Sequence, residues 1–360
     1  MTRSKTTNYD KNKARLSLIL PVGKYSHLAN FNRLEVKVRS ILCILSAGMG
    51  DTIMLAPALA ALKERFPDAS LAVLGHYNRG VEKLCRLIPA VDETIDIGFE
   101  NYRCATVIGF MLGRFWTLLF ELRRRKFDLT VVFMPNIIRR LLLAGLGSRF
   151  YTYGNRIDDY PGAIAFKLLS PLGIEEKSRE DVFEVPEPQD TAALLPSDLE
   201  RPIICVHPFC GMAWRQWGKF EQLQKALAGM PGSIVVVGRK NGYVPAGPGH
   251  NLVNKLSIEE LFWVIKQSDV LITADSGPMH IGFAVGTPTV ALFGPVKPAL
   301  RVPPYEKEKH IILYNPSVES ETVRRITQRK TLDNAAMQKI SVAEVLEATN
   351  SLLAKRRKMS

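Results

Sequence analysis

The sequence predicts an α/β protein built from two Rossmann-like, doubly wound halves that face each other across a cleft. Three observations predict it. Short apolar runs alternate with segments of helical periodicity over residues 41–293, the pattern of parallel strands joined by helices. A polar, proline-rich stretch at 185–201, with Pro186, Pro188 and Pro196, interrupts that pattern. The 360 residues of the chain suit two ordinary domains better than one.

The elements follow in order. An apolar run at 41–46 ends in Gly48-Met49-Gly50-Asp51, and Ile53, Leu55, Leu59, Leu62 and Phe66 then recur at helical spacing until Pro67-Asp68. Strands are predicted at 71–74, 94–97, 129–133 and 149–153, with helices near 107–124 and 137–146. The second half repeats the plan, with strands at 203–207, 233–238, 270–273 and 289–293 and helices at 219–228, 258–267, 278–285 and 342–355. Strand runs this short and this apolar suit parallel strands covered on both faces. The organisation expected is a basic leader over 1–39 and a first domain over 40–185. A linker follows over 186–201, then a second domain over 202–335 and a final helical segment over 336–360.

The chain is 46% hydrophobic and 23% charged, enough for sizeable cores, and its formal net charge is +13. Such a balance calls for an anionic partner: a nucleotide diphosphate, a nucleic acid or an anionic membrane surface. Residues 1–40 alone hold nine Lys/Arg against Asp10 and Glu35, a solvated leader or an electrostatic tether to anionic lipid. Since the excess sits there and in no recognisable binding module, nucleic acid is not expected as a partner. The five cysteines form no CxxC pair and no Cys/His cluster, which fits a reduced, cytoplasmic protein without a metal site. The run at 16–22 is too short for a signal peptide. The run at 105–122 is broken by Arg114 and ends in Arg123-Arg124-Arg125-Lys126. It is read as an amphipathic helix, turned to the core or to a membrane, and not as a span.

Three loops carry candidate chemistry. Gly48-Met49-Gly50-Asp51-Thr52 lies between a strand and a helix, where backbone N–H groups meet anions. Ile53 stands where a dinucleotide fingerprint needs its third glycine, so an oxidoreductase is disfavoured. Asp51 is either a carboxylate complementing its helix or a general base. The loop 207–217 offers Arg215 as a cation for a diphosphate, while Trp214 and Trp217 are read first as packing residues. Asp275-Ser276-Gly277-Pro278-Met279-His280 joins a strand to a helix. Proline in the first turn leaves neighbouring N–H groups for an anion, Asp275 is placed to hold sugar hydroxyls, and His280 is read first as a buried structural residue. Arg139 and Arg140 are either a solvated face or a site for acceptor phosphates.

These segments resemble glycosyltransferase family 9, the lipopolysaccharide heptosyltransferases. The stretch DVLITADSGPMHIGFAVGTPTVALFGPVKP at 269–298 is similar to that family's signature over almost its whole length. Gly50-Asp51 with Pro57-Ala58-Leu59, the loop from His207-Pro208 to Arg215-Gln216-Trp217, and residues 251–261 add to it. The resemblance covers about 41–350. It implies a GT-B fold with an acceptor-binding first domain, a nucleotide-sugar-binding second domain and a final helix crossing back. It further implies inverting, metal-independent transfer with no cofactor beyond the nucleotide sugar, from ADP-heptose to a lipopolysaccharide core at the inner membrane's cytoplasmic face. Asp51 would be the general base, and Arg215, Asp275, Ser276, Gly277, Pro278, Met279 and His280 would bind the donor. Gly50, Arg139 and Arg140 would face the acceptor, and the adenine would lie near 254–257. Where the family usually has Lys and Pro, this chain has Arg215 and Gly218. Two further readings are kept: a sugar-nucleotide 2-epimerase of similar architecture, and an inactive carbohydrate-binding protein on the same scaffold.

Overall fold

The computed structural model describes residues 25–26, 37–45, 48–77, 80–98, 104–133, 137–148, 150–153, 159–176, 182–239, 247–305, 307–315 and 334–357. Among the described residues the chain folds into two six-stranded sheets, one per domain.

The first sheet holds β1 (Tyr25–Ser26), β2 (Ser40–Ile44), β3 (Ser70–Gly75), β4 (Glu93–Asp96), β5 (Leu129–Val132) and β6 (Phe150–Tyr153). Their spatial order is β1-β6-β5-β2-β3-β4. All pairs are parallel except the antiparallel β1–β6 edge. The second sheet holds β7 (Ile203–His207), β8 (Ser233–Val236), β9 (His250–Asn251), β10 (Val270–Ala274), β11 (Thr289–Phe293) and β12 (His310–Tyr314). It runs β12-β11-β10-β7-β8-β9 and is wholly parallel. In each sheet the strand order reverses beside the first long strand, β2 or β7, and that switch point is where open α/β sheets bind ligands.

Both faces of each sheet are covered, which is why the strands read as continuous apolar runs. In β2, Ile41 and Cys43 point into a core with α1 (Met49–Arg65) and α6 (Pro161–Leu169). Leu42 and Ile44 point into the opposite one, formed with α3 (Cys104–Leu112), α4 (Arg114–Arg125) and α5 (Ile137–Leu146). In the second sheet, Ile204 and Val206 pack with α8 (Phe220–Leu227) and α12 (Val342–Arg357). Cys205 and Val235 pack with α9 (Ile258–Gln267). That last cluster also takes in Ile53, Leu84 and Leu87 of the first domain, so the domains share an apolar contact. Besides α2 (Val81–Cys85) and α7 (Thr191–Leu194), the helices are α10 (Gly277–Ala284) and α11 (Ala335–Gln338).

The structure corrects several expectations. The predicted helix near 107–124 is two helices that part at Gly113, whose φ of −124° and ψ of −91° fit neither helix nor strand. The helix α12 does not cross back: Val345, Leu352 and Leu353 sit in the second domain's own core. Arg356 Nε reaches Asp269 Oδ1 of that domain at 3.2 Å. The stretch 186–201 is no bare linker, because Leu194 is buried in the shared cluster and Asp190 caps α7 through the Ala193 N–H at 2.9 Å. The leader contributes the edge strand β1, and the rest of its charged segment before Lys37 lies outside the described residues. Short elements such as α2 and β9 carry too few residues for periodicity to reveal, and β12, as long as β7, is only half-buried along most of its length.

Candidate functional site

The site in the second domain grows from its switch point. His207 closes β7, and its Nδ1 lies 3.1 Å from Thr273 Oγ1 on β10 and 3.3 Å from Ser276 Oγ. Thr273 Oγ1 and Ser276 Oγ are themselves 3.1 Å apart. Burial pushes His207 from 6.5 down to about 4, so at neutral pH it is an uncharged node that fixes Ser276. The neighbouring Gly238 has φ +131°, and a Cβ there would stand 2.8 Å from the His207 ring. Only glycine lets β8 end so close to it. Ser276 is extended and makes no side-chain cap bond to α10. The first N–H groups of α10 have no intrahelical partner, and Pro278 has none to offer. Amide hydrogens therefore gather at this helix start.

Asp275 is 3% exposed. Arg215, carried on the 3-10 turn Ala213–Arg215, sets Nε 3.3 Å from Asp275 Oδ2 in an ion pair. Its Nη1 donates to the Asp275 carbonyl at 3.1 Å. The guanidinium also lies over the Trp214 ring, 4.5 Å from its centroid, which fixes its plane. Both tryptophans of this loop pack, as expected: Trp214 meets Val296, and Trp217 donates Nε1–H to the Ile340 carbonyl at 3.1 Å.

The first domain meets this loop directly. A Cβ on Gly50 would lie 2.7 Å from His280 Cδ2, and one on Gly277 would lie 3.0 Å from Met49 Sδ. The glycines thus let the starts of α1 and α10 touch across the cleft. Asp51 sits in the first turn of α1. Its Oδ2 would be 2.9 Å from a Cβ on Gly48, so the carboxylate folds back over its own helix start, where the dipole favours it. Arg301, just past the turn Pro298–Leu300, brings Nη1 to 4.0 Å from Asp51 Oδ1. His280 is buried, as expected, and is pushed down to about 4, first by burial. Asp275 opposes that shift while Arg301 and Arg215 add to it. The structure therefore gathers Gly50, Asp51, Arg215, Asp275, Ser276, Gly277 and His280 around one region.

Sequence reasoning missed Arg301. The available signal was the Phe293-Gly294-Pro295 turn, which returns the chain to the cleft a few residues earlier. Met279 and Pro278 are buried within α10, so their side chains face the core and only the backbone at 279 can serve an anion. Arg139 and Arg140 lie on α5, which follows β5 beside β2. Arg139 is buried, so the solvated-face reading does not hold for it. At 254–257 the chain turns through Asn254 with φ +63°, and Asn254 N–H donates to the Gly238 carbonyl at 2.8 Å. A separate cavity of about 340 Å3 opens between the domains behind His280, lined among others by Pro57, Tyr160, Phe283 and Tyr305. Neither Asp51 nor Arg215 lines it.

Comparison with known proteins decides the family. The sequence model of glycosyltransferase family 9 (heptosyltransferase) matches residues 147–331, over half of the chain. The chain belongs to glycosyltransferase family 9. It is an α/β glycosyltransferase with two Rossmann-like domains, as the resemblance implied. The lipopolysaccharide heptosyltransferase 3 of Escherichia coli is 23% identical over 283 residues, covering 68% of this chain and 80% of that protein. Among solved structures, a family 9 glycosyltransferase from Veillonella parvula superposes with a TM-score of 0.71 at 19% identity, covering 89% of this chain and 99% of that one. The E. coli ADP-heptose lipopolysaccharide heptosyltransferase II superposes with a TM-score of 0.67 at 20% identity, over 88% and 99%. These likenesses establish the GT-B fold of the family 9 enzymes. The region matched by the family model contains Arg215, the 275–280 loop and Arg301.

Proposed function

We propose that this enzyme transfers a heptose from ADP-heptose to a hydroxyl of a lipopolysaccharide core sugar, with inversion and without a metal ion or other cofactor. The observation that carries the reading is the meeting of two helix starts across the cleft: Asp51 on one side and the amides of 276–279 with Arg215 on the other. The names of similar proteins support the donor and the acceptor class.

In this mechanism the donor diphosphate lies at the start of α10, with its adenine toward 254–257. Asp275 and Ser276 face the donor sugar and phosphate. The acceptor hydroxyl attacks the anomeric carbon from the face opposite the diphosphate. The new C–O bond forms as the bond to the phosphate oxygen breaks. ADP leaves with that electron pair, and the acceptor proton passes to Asp51. Arg215 and the helix-start amides stabilise the charge growing on the leaving group, where preorganised donors contribute most. Arg139 and Arg140 hold anionic groups of the acceptor. Arg301, 4.0 Å from Asp51 Oδ1, aims the Asp51 carboxylate. The enzyme works in the cytoplasm against the inner face of the inner membrane.

The test is thermal stabilisation by ADP, ADP-sugars and UDP-sugars, followed by turnover with ADP-heptose and heptose-deficient core oligosaccharide. A ligand that binds the folded state raises its stability by RT ln(1 + [L]/Kd). ADP-sugars should shift the melting point and Arg215→Ala should abolish the shift. A response to UDP-sugars alone, or product from nucleotide sugar without acceptor, would overturn the proposal.

A further inference from the structure

Ile108, Leu112, Trp116 and Phe120 are 54%, 79%, 60% and 62% exposed. Ile108 and Leu112 stand one turn apart on α3, and Trp116 and Phe120 one turn apart on α4, so the two successive helices give the outside of the first domain an apolar row in two segments. Single exposed apolar residues are ordinary, but a contiguous row of large ones marks an interaction surface. These side chains are not spent on the core, which takes Phe110, Phe115, Leu118, Leu119 and Leu122 from the opposite face of the same helices.

The row ends in cations. Arg124 is next in the series, and its guanidinium lies 5.7 Å from the Phe120 ring centroid. Arg125 is held by Glu93 at 2.6 Å. Arg123, Arg124 and Lys126 are exposed and make no ion pair among the described residues. The one acid on these two helices, Glu121, lies 3.3 Å from Arg114. An apolar row with Trp and Phe, bordered by cations and nearly free of acids, is the chemistry of a helix lying in a bilayer interface. Position agrees with this. Arg114 Nη2 is 3.5 Å from the Asp96 carbonyl at the end of β4, and β4 runs parallel to β3 and β2, so the Leu112–Trp116 middle of the row lies on the side of the sheet where the strands end and α1 with Asp51 begins.

We propose that the α3–α4 helix pair docks on an anionic membrane, seating Ile108, Leu112, Trp116 and Phe120 among the acyl chains while Arg123, Arg124 and Lys126 bind headgroup phosphates. The surface stands independently of which sugar is transferred.

The four tryptophans make the test direct, since Trp214, Trp217 and Trp263 are buried and Trp116 is the exposed one. The full chain is mixed with vesicles of phosphatidylcholine with phosphatidylglycerol, or of phosphatidylcholine alone, containing brominated acyl chains. Emission should be quenched in the anionic vesicles, and Trp116→Leu should remove the quenching while the protein still co-sediments. The exposed double variant Leu112→Ser/Phe120→Ser should keep the native melting point yet partition at least ~10-fold more weakly. Absence of quenching would overturn the proposal. So would sedimentation that the double variant leaves intact, which would assign binding to the basic leader. A dimer that Leu112→Ser dissolves would instead assign the row to self-association.

Discussion

Three histidines of the second domain are held neutral in its interior. Burial is the largest cause for each of His207, His280 and His310, and each is pushed from 6.5 down to about 4. In the unfolded chain each takes up a proton near its ordinary value. Between those limits the unfolded state binds more protons than the folded one, so stability falls as pH falls. The contribution is complete above 6.5 and is lost progressively toward 4. At about 1.36 kcal/mol per pKa unit, lowering the pH from 7 to 5.5 costs each histidine about 1.2 kcal/mol, or roughly 3–4 kcal/mol for the three. That is a large fraction of a typical domain stability of about 5–15 kcal/mol. Urea unfolding followed by tryptophan emission reads this domain preferentially, since Trp214, Trp217 and Trp263 all belong to it. The midpoint should drop steeply between pH 7 and 5.5, and His310→Gln should remove about a third of the slope. Proton NMR should show three histidine ring signals that do not titrate above pH 5. Equal stability at the two pH values, or a His280 midpoint near 6.5, would refute the reasoning.

Other consequences follow from single contacts. Asp51→Asn should lower kcat by roughly 10²–10⁴-fold while calorimetric ADP affinity is unchanged, and an unaltered rate in the folded variant removes Asp51 from the chemistry. Gly50→Ala places a methyl 2.7 Å from His280 Cδ2. It should cost about 1–3 kcal/mol of stability or domain contact, seen as a lower melting point and a lower kcat; wild-type values for both would mean that the two helix starts do not touch in solution. Asp269 Oδ2 accepts from Ile203 N–H at 2.7 Å and from Arg201 Nη1 at 2.8 Å, and its other oxygen meets Arg356. Asp269→Ala should therefore destabilise the protein by on the order of 3 kcal/mol in urea titration, and a change within experimental scatter would show that the cluster contributes nothing net.

The alternation of the chain was the most legible feature. Runs such as 203–207, 258–267 and 289–293 coincide with observed elements, because strands buried on both faces must be apolar at every position and helices over them must be amphipathic. Legibility failed where tertiary contacts decide. Gly113 breaks a helix that periodicity carries straight through, because its φ of −124° and ψ of −91° leave the helical region, a backbone choice that periodicity of the neighbouring side chains does not encode. The final helix was expected to cross back, and instead the apolar face of Val345, Leu352 and Leu353 completes the core over β7 and β10. Within the site, strand–loop–helix punctuation placed Asp51, Asp275 and Ser276, because local geometry puts such loops at strand ends. It could not reveal Arg301, whose relation to Asp51 spans 250 positions and both domains and exists only once the sheets have been brought together.

If the donor diphosphate lies at α10 as proposed, the pairing of Arg215 with Asp275 bears on how it is received. Asp275 is nearly fully buried, and a carboxylate there, without a counter-charge, would repel any phosphate brought to α10. Arg215 resolves the conflict through the shape of its fork. Its Nε faces the carboxylate and its Nη1 donates to the carbonyl of the same residue. Five N–H groups leave donors over for a ligand on the outer edge. One guanidinium can then neutralise the aspartate and bind a phosphate oxygen at once. An ammonium, compact and point-like, would divide three donors between the same two anions. The Trp214 ring beneath the guanidinium blocks one face and keeps the fork in the plane that serves both partners. The arginine found where the family usually has lysine is therefore coupled to the neighbouring Trp214 and to the burial of Asp275, and the three positions act as one unit in setting the charge at the start of α10.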